Sequence, residues 1–406
     1  MRDQARSLGP PAEGHTPHAR ATCDLPRDES PAPRRPRRVL FVFAWLVVGG
    51  AETEVRLLAR LLDPARYRLE VVACFRKPNM PEQTHDQLAA LGVPVDRAPY
   101  DLSFEDTVAY LADKIARERY DVIVACQAVP DIHPALARLA APPPLIEHGG
   151  LVEEALSGPK EGTARYIGVC TAIRDAAARR MPARPHHALL IPSMVDLSEF
   201  DPAARGAVRA NWGVGPDVPV IGWVGRLDRK KRVEDFLHAV ALLRRDDVAA
   251  RFVIIGGPDA FMPEYADELR LLADTLGLRG ALLFLGDRPD VPRLLSGLDV
   301  LVWLARGEGM PHVIAEAGAA RLPVVATRDN GTTEQIVDGH SGLFVPHADP
   351  AAVAVALRRL IAAPALRHRL GTGLRRTVER EYDAAVLTRR WAAVFDEVLV
   401  GAGGGL

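Results

Sequence analysis

The feature of the sequence that most constrains its fold is a regular alternation of short apolar runs with helix-like segments. Apolar runs of a few residues, bounded by glycine or polar residues, are typical of buried strands. Strands that alternate with helices form parallel sheets covered by helices on both faces, so we predict an α/β protein. The runs of the first half are Val39–Phe43, Leu69–Cys74, Val122–Cys126, Leu145–Glu147 and Tyr166–Val169.

Length, charge and cysteine spacing limit the class of protein. At 406 residues the chain is long enough for two domains. Its net charge of -1 at pH 7 gives no electrostatic argument for nucleic acid, so no nucleic-acid partner is expected. Four cysteines, Cys23, Cys74, Cys126 and Cys170, are far apart and lack the spacing of a metal site. We therefore expect a reducing, cytoplasmic environment.

The N-terminal residues 1–36 differ from the rest of the chain. They are rich in proline, arginine and acidic residues without apolar periodicity, so we predict a disordered tail. The apolar run at 39–48 superficially resembles a signal peptide. It is short and continues into a glycine turn, so a first buried strand explains it better. No other segment approaches the length of a transmembrane helix.

Two carboxylates mark the stretch Arg306–Pro346, which begins just after a predicted strand at Val300–Leu304. A helix can begin at Pro311, because proline suits the first helical position. Glu308 then lies in the loop before the helix, and Glu316 lies about one turn inside it. Both carboxylates are predicted to face the crevice at the carboxyl ends of the strands, where open α/β sheets bind ligands.

This arrangement suits a nucleotide sugar. A carboxylate accepts hydrogen bonds from both hydroxyls of a vicinal diol, and the free N–H groups at a helix start bind an anion such as diphosphate. Since Pro311 has no N–H, the donors there are Met310, His312 and Val313. The alternative is that acidic residues lie at the helix start only because the helix dipole favours them.

A basic loop opens the second half of the chain. A predicted strand ends at Val224, and Arg226 and Lys231 follow before a helix that begins near Val233. An arginine and a lysine in one loop can clamp a diphosphate, and each charge-assisted hydrogen bond is worth roughly 1.5–3 kcal/mol. The alternative is a solvated basic loop, because other basic residues flank the pair.

Two further candidates lie in the first half. Gly49 and Gly50, between the first strand and the first helix, would let the backbone approach a ligand. His148 ends a strand-like run and could hydrogen-bond a sugar hydroxyl. The alternatives are glycines needed only for the turn and a loop histidine without a role. The first helix carries Arg56 and Arg60 on one face, which we interpret as a solvated face, with docking on a membrane as the alternative.

These motifs together resemble one family. Glu308 and Glu316, with seven residues between them, and the following A-T-R-D-N-G-T-T-E-Q-I-V-D-G-H-S-G-L-F-V-P resemble the signature of the retaining glycosyltransferases of family 4 (glycosyl transferases group 1). G-G-A-E at 49–52, E-H-G-G at 147–150 and G-R-L-D-R-K-K at 225–231 also resemble family motifs. The sequence departs from the family pattern at Ile146, Ser193, Met194 and Arg232.

The resemblance implies the GT-B architecture, in which two Rossmann-like domains face each other across a cleft. On this basis we predict a disordered tail at 1–36 and an acceptor-side domain at 37–192. A nucleotide-sugar donor domain follows at 193–382, and a helix at 383–406 crosses back to the first domain.

The resemblance also implies a role for each matched residue. The implied catalytic residues are Glu308, His148, Arg226 and Lys231. The implied donor-binding residues are Gly49, Gly50, Arg226, Lys231, Arg288, Glu308, Gly309, Met310, His312, Val313 and Glu316. Within this set Arg226 and Lys231 would hold the diphosphate, Glu316 the ribose and Glu308 the transferred sugar.

The predicted reaction uses no metal and no cofactor. The chain has no D-x-D motif, through which the GT-A architecture usually holds a divalent metal. The implied donor is a UDP-, GDP- or ADP-sugar, and the implied acceptor is a glycan or a lipid-linked intermediate. The resemblance also implies peripheral contact with the inner face of a membrane as an alternative for this chain.

Two other classes of function stay open. One is a nucleotide-sugar epimerase of the same fold, which needs no acceptor, although its family pattern lacks the pair of glutamates. The other is a non-catalytic partner subunit that binds the nucleotide sugar. Because the sequence departs from the family pattern at Ser193, Met194 and Arg232, the second alternative stays open.

Overall fold

A computed structural model describes residues 35–127 and 129–403. The predicted tail at 1–36 and Cys23 therefore lie almost wholly outside the described residues. Within them, the chain forms two parallel sheets that share no strand, which confirms the α/β prediction.

The first sheet has seven strands in the order β3-β2-β1-β4-β5-β6-β7, all paired in parallel. All five strands predicted in this half overlap observed ones. The short β3 was not predicted, because two residues leave no readable pattern. The strands are β1 (Arg37–Trp45), β2 (Tyr67–Phe75), β3 (Val95–Asp96), β4 (Val122–Cys126), β5 (Leu145–Gly149), β6 (Thr163–Gly168) and β7 (Ala188–Leu190).

Helices connect these strands and cover both faces of the sheet. The longest of them is capped by Ser103, whose hydroxyl accepts a hydrogen bond from the Asp106 N–H. It buries Val108, Leu111 and Ile115, which lie three or four residues apart on one face. The helices are α1 (Gly50–Leu61), α2 (Gln83–Ala90), α3 (Phe104–Glu118), α4 (Ile132–Ala137), α5 (Val152–Leu156) and α6 (Thr171–Arg180).

The second sheet has six parallel strands in the order β10-β9-β8-β11-β12-β13. Its strands are β8 (Val220–Val224), β9 (Arg251–Ile255), β10 (Leu282–Phe284), β11 (Val300–Trp303), β12 (Val324–Thr327) and β13 (Gly342–Val345). Its helices are α7 (Arg205–Asn211), α8 (Val233–Arg245), α9 (Glu264–Thr275), α10 (Val291–Leu295), α11 (His312–Ala319), α12 (Thr332–Gln335), α13 (Pro350–Ala362) and α14 (Pro364–Glu381). The order of the strands reverses between β1 and β4 and between β8 and β11, and a ligand crevice forms at such switch points.

A final helix, α15 (Ala384–Gly403), returns to the first domain. Its Trp391 and Phe395 are fully buried, and Trp391 packs against Phe41 of β1 with the ring centroids 6.5 Å apart. The linker from the first to the second domain runs beside the start of this helix. The Val195 N–H donates to Tyr382 O, and the Ala384 N–H donates to Val195 O. Two parallel chain crossings therefore join the domains.

The linker departs from the family pattern at two residues, Ser193 and Met194, and the structure explains both. Met194 is fully buried, and its sulfur lies 3.9 Å from the Thr388 hydroxyl of α15. Ser193 donates a hydrogen bond to Met310 O in the second domain, at 3.1 Å. Neither residue has a positive φ, so the linker here does not need a glycine.

Arg232, which replaces a family glycine, keeps the glycine-like turn. Its φ is 55°, in the left-handed region that a non-glycine residue rarely adopts. The guanidinium donates two hydrogen bonds to Asp235, each 2.8 Å long, and lies 2.9 Å from Glu234. These ion pairs compensate for the unfavourable backbone conformation.

One local prediction was wrong. Pro311 caps α11 in an extended conformation, because its ψ is 119°, and the first helical residue is His312. At the start of α6, Cys170 precedes the helix, and the Thr171 N–H donates to Glu334 of the second domain. The basic face of α1, predicted to be solvated, is partly engaged by carboxylates near the linker.

Arg56 and Arg60 of α1 both bind Glu199, which follows the linker. The contacts are 2.7 Å from Arg56 Nη1 and 2.6 Å from Arg60 Nη1 to the same carboxylate oxygen, and Arg60 also pairs with Asp196. Arg56 is thus partly buried in its ion pair, whereas Arg60, although paired, is exposed at the surface. No helix in the described residues combines the length and apolarity that crossing a membrane requires.

Candidate active site

A cleft of about 460 Å³ lies between the two domains, at the carboxyl ends of both sheets. Loops that follow β1, β5, β8 and β11 form its walls. Every residue predicted to be catalytic or donor-binding lines this cleft. The structure thus brings together groups that are up to 267 positions apart in the sequence, from Gly49 to Glu316. Their roles in binding and catalysis remain predictions.

On the second-domain wall, Lys231 and Glu308 form an ion pair. Lys231 Nζ lies 2.6 Å from Glu308 Oε1 and 5.0 Å from the centre of the Trp303 ring. The Glu308 N–H donates to Asp329 Oδ2 at 2.9 Å, which fixes the loop after β11. The carboxylate and the ammonium group are thus held side by side at the cleft.

Arg226 follows β8 and is held by a carboxylate that the sequence did not single out. Its Nη1 donates to Asp259 Oδ2 at 2.6 Å, and Asp259 is almost fully buried. Asp259 also accepts a hydrogen bond from the Phe261 N–H. A guanidinium oriented from behind in this way keeps its other N–H groups available for an anion in the cleft.

Glu316 lies on α11, one turn from its start. Burial raises the pKa of its carboxyl group to about 7, and Arg56 acts in the opposite direction. A carboxyl group that is costly to ionise and faces a cleft is more typical of a binding site than of a structural ion pair.

Two helix N-termini meet across the cleft. Gly49 caps α1 of the first domain, and Pro311 caps α11 of the second. A Cβ atom built on Gly50 would lie 2.8 Å from Cδ2 of the His312 ring, so the two helix starts are in contact. Since the first N–H groups of a helix have no partner within it, both ends offer donors to an anion.

Gly309 lets the domains approach closely. A Cβ atom at this position would lie 2.0 Å from Gly150 O of the first domain. Only glycine allows the backbones this distance. The narrow contact closes one end of the cleft.

His148 is buried in the first-domain wall. Its Nε2 lies 3.1 Å from Glu54 Oε2, its Nδ1 lies 4.0 Å from the Cys126 sulfur, and its ring packs edge-on against Trp391. Burial opposes protonation, but the Glu54 carboxylate more than offsets it, so the pKa of His148 lies above its usual value. His148 Nε2 and Glu54 Oε2 lie close together without a hydrogen bond between them, so a bond from Nε2 to a sugar would replace no existing one.

Arg288 lies at the opposite end of the cleft, near the edge of the second sheet. Its guanidinium makes two hydrogen bonds to Asp290, of 2.8 and 2.9 Å, and is largely exposed. The neighbouring Asp287 accepts a hydrogen bond from the Gly257 N–H at 2.9 Å. Arg288 is therefore tied to its own loop, although it lines the cleft.

The sequence did not identify the partner residues that hold the predicted site residues in place. Glu54 faces His148, Asp259 orients Arg226 and Asp329 fixes the loop of Glu308. Asp259 could have been suspected, because it follows a short apolar run and two glycines at 252–257. Glu54 gave no signal, since a glutamate inside a helix is common.

The prediction of a metal-free, cofactor-free reaction is untested. In residues 35–127 and 129–403, no three His, Cys, Asp or Glu side chains are grouped so that they could hold a metal ion.

Comparison with known proteins shows that part of this chain is similar to glycosyltransferases. Residues 205–377 match the family model "Glycosyl transferases group 1". A D-inositol 3-phosphate glycosyltransferase of Streptomyces bingchenggensis is 33% identical over 216 residues, which are 51% of this chain and 47% of the relative. The enzyme of the same name from Geodermatophilus obscurus is 35% identical over 224 residues, 52% of this chain and 49% of the relative. The chain thus spans about half the length of these curated relatives.

Solved structures show the same fold over most of the chain. Anabaena Alr3699/HepE, in complex with UDP and glucose, superposes with a TM-score of 0.76 at 20% identity. That match covers 89% of this chain and 100% of the other. A glycosyltransferase from Rickettsia africae gives a TM-score of 0.74 at 16% identity and covers 90% of this chain and 99% of the other. Residues 205–377 of the second domain thus resemble the glycosyl transferases group 1 family, and the two domains together have the GT-B fold.

Proposed function

We propose that the protein transfers a sugar from a nucleoside diphosphate sugar to an acceptor hydroxyl, with retention of the anomeric configuration and without a metal ion. One observation carries the proposal. Arg226, Lys231, Glu308 and Glu316 line one cleft together with the start of α11, and the start of α1 faces them. The match of residues 205–377 to the family model and the names of the relatives support glycosyl transfer as the reaction class.

The basic groups of the second domain would bind the leaving group. As the bond between the anomeric carbon and the diphosphate breaks, its electron pair passes to a diphosphate oxygen. Arg226, Lys231 and the N–H groups of α11 are positioned to stabilise that charge in the cleft between the domains. Since Asp259 already orients Arg226, little reorganisation is needed when the charge develops.

The carboxylates would bind the two sugars of the donor. Glu316, inside α11, accepts hydrogen bonds from the ribose hydroxyls, and Glu308 accepts from hydroxyls of the transferred sugar. The ion pair of 2.6 Å between Glu308 and Lys231 supports a sugar site directly beside the diphosphate site. His148, held by Glu54, lies on the opposite wall.

The acceptor hydroxyl would approach from the first domain and form the new bond to the anomeric carbon. Its proton passes to the diphosphate oxygen that has just been released, so no separate base on the protein is needed. The contact between Gly309 and Gly150 keeps the cleft closed at one end, which limits hydrolysis by water.

A turnover experiment tests the proposal. The protein is incubated with UDP-, GDP- and ADP-sugars and a panel of hydroxylated acceptors, with and without EDTA, and the products are analysed by NMR. We expect one donor to give a product with the donor's anomeric configuration, unaffected by EDTA, and Glu308→Gln to lose this activity. A donor converted to an isomer without any acceptor would indicate an epimerase. A donor that binds and is never consumed would indicate a partner subunit.

A further inference from the structure

The first-domain wall of the cleft has amide and carboxyl groups and one partly buried indole, that of Trp45, but few cations. Gln83 and Gln87 lie four residues apart on α2 and therefore on the same side of that helix. The remaining polar and aromatic groups of this wall are Trp45, Glu52, Glu54, Gln127 and Glu154.

The first domain contributes one lysine or arginine to the described lining of the cleft. This residue is Arg56, and Glu199 holds it with contacts of 2.7 and 3.3 Å. Arg76, in the loop beside α2, lies outside the lining and binds Met80 O and Glu82 at 2.7 and 2.6 Å, while its Nη1 is buried without a hydrogen-bond partner.

Lys77 in the same loop also lies outside the lining, with its ammonium group 4.5 Å from the centre of the Phe261 ring. His148 lines the cleft beside the Glu54 carboxylate. Within the described lining, the first-domain wall therefore has no lysine or arginine without a carboxylate partner.

The carboxyl groups of the wall are fixed in place. Glu52 accepts hydrogen bonds from the Val47 N–H at 3.1 Å and from the Gln127 amide at 3.2 Å. Glu154 accepts from the N–H groups of Gly150 and Leu151, at 2.6 and 3.1 Å. They cannot turn away from an incoming ligand without losing these bonds. In either protonation state they give a phosphate no counter-charge.

We propose that the acceptor is an uncharged or amino-bearing polyhydroxyl compound, a sugar or cyclitol without phosphate, bound by Gln83, Gln87, Gln127 and Trp45. The amides donate to and accept from hydroxyl groups, and the indole offers an apolar face to a sugar ring. The basic groups of the cleft belong to the donor diphosphate on the other wall. This inference rests on the proposed function and assigns the acceptor class of the same site.

The inference sets this chain apart from its curated relatives. Those proteins are named D-inositol 3-phosphate glycosyltransferases, a name that implies a phosphorylated acceptor. An acceptor phosphate placed against Glu52 and Glu154 would face like charges or neutral acids instead of a basic pocket. The matched relatives are therefore a poor guide to the acceptor of this chain.

The test compares acceptors in pairs, with the donor that the turnover experiment selects. The pairs are myo-inositol with inositol 3-phosphate, glucose with glucose 6-phosphate, and glucosamine with glucosamine 6-phosphate. We expect kcat/KM to be at least about tenfold higher for the unphosphorylated member of each productive pair, which corresponds to about 1.4 kcal/mol. A preference for the phosphorylated members, or no transfer to any of the six, would overturn the inference.

A variant designed to gain activity on phosphorylated acceptors provides a second test. Gln87→Lys places a cation on the wall and should raise kcat/KM for the phosphorylated acceptors at least about tenfold, the size of one charge-assisted hydrogen bond. Ala90→Lys adds the same charge at an exposed position of α2 outside the cleft and serves as the matched control. Equal effects of both variants would contradict a contact with the acceptor.

Donor binding, measured in parallel, separates the two proposals. If no nucleoside diphosphate binds, the proposed function fails and the acceptor inference fails with it. If the donor binds and is hydrolysed while phosphorylated acceptors are preferred, only the acceptor inference is wrong.

Discussion

Replacing Glu316 by glutamine should make the protein more stable at pH 8 and at the same time weaken its binding of nucleotides. Glu316 lies on α11 and faces the cleft, where burial raises the pKa of its carboxyl group to about 7. The ionised carboxylate is therefore costly in the folded protein near neutral pH. A glutamine has nearly the same shape and no charge, so it removes this cost. It also removes the negative charge that we expect the ribose hydroxyls to meet.

The sign and size follow from proton binding. Between pH 4.5, the ordinary pKa of a glutamic acid, and about pH 7, the folded protein holds a proton that the unfolded chain has released. The free energy of unfolding therefore falls as pH rises through this window, by up to about 1.36 kcal/mol per pH unit. Over the whole window the loss is about 3 kcal/mol. Glu316→Gln should show no such loss.

Thermal unfolding of both proteins at pH 5 and pH 8 measures this difference. About 3 kcal/mol corresponds to roughly 6 °C in Tm for a domain of this size, so we expect the variant to unfold that much higher at pH 8. At pH 5 the advantage should shrink to about 2 °C. Affinity for the matching nucleoside diphosphate should fall at least about tenfold, the size of one hydrogen bond to a charged group.

The exposed Glu264 of α9 provides the matched control, because Glu264→Gln removes a carboxylate that lies outside the cleft. This variant should change Tm little at either pH and should bind nucleotide normally. A Glu316→Gln protein that is less stable than wild type at pH 8, or whose Tm difference is the same at both pH values, would refute the reasoning.

Three other substitutions test the packing between the domains and the backbone geometry of one loop. Met194→Ala should open a cavity against α15 and lower the free energy of unfolding by about 2–5 kcal/mol in denaturant titrations; a loss below about 1 kcal/mol would contradict the packing. Gly309→Ala places a methyl group against Gly150 O, so transfer should slow about 100-fold while the nucleotide still binds, and unchanged turnover would show that this contact is not needed. Arg232→Gly loses the ion pairs with its neighbours but relieves the positive φ, so the free energy of unfolding should change by less than about 1 kcal/mol, whereas a large loss would mean that the ion pairs dominate.

The sequence was most informative where structure follows from local pattern. Strands such as Val122–Cys126 and the strand end at Val224 were predicted at their observed positions, because a short apolar run between polar residues has few other interpretations. The helix start near Val233 was also predicted correctly. The end of a strand in an α/β sheet fixes where the following loop lies. Arg226, Lys231 and Glu308 could therefore be assigned to one cleft before any coordinates were known.

Pairings between distant residues could not be predicted. We predicted from the sequence that the basic face of α1 is solvated, but Arg56 binds Glu199, which lies 143 positions later in the chain. Nothing near Arg56 in the sequence indicates that the linker carries its partner. The buried contact between Glu54 and His148 was missed for the same reason, since it depends on how α1 packs against β5.

The backbone conformation of individual residues could not be predicted from the sequence pattern either. Proline at position 311 is compatible with both the cap and the first turn of a helix, and the extended ψ of 119° is decided by the preceding loop. Arg232 adopts a left-handed conformation because Asp235 and Glu234 compensate for it. A sequence pattern that expects glycine there cannot show this compensation.

The measurement that tests the central claim most directly is calorimetric titration of UDP, GDP and ADP into wild type, Arg226→Ala, Lys231→Ala and Arg229→Ala. Arg229 is exposed, pairs with Glu268 and lies outside the cleft, so it is the control for loss of a positive charge. We predict that one diphosphate binds wild type and Arg229→Ala equally, and that each of the other two variants loses about 10- to 100-fold in affinity. If no diphosphate binds wild type, or if Arg229→Ala weakens binding as much as Arg226→Ala, the cleft is not the donor site that the structure indicates.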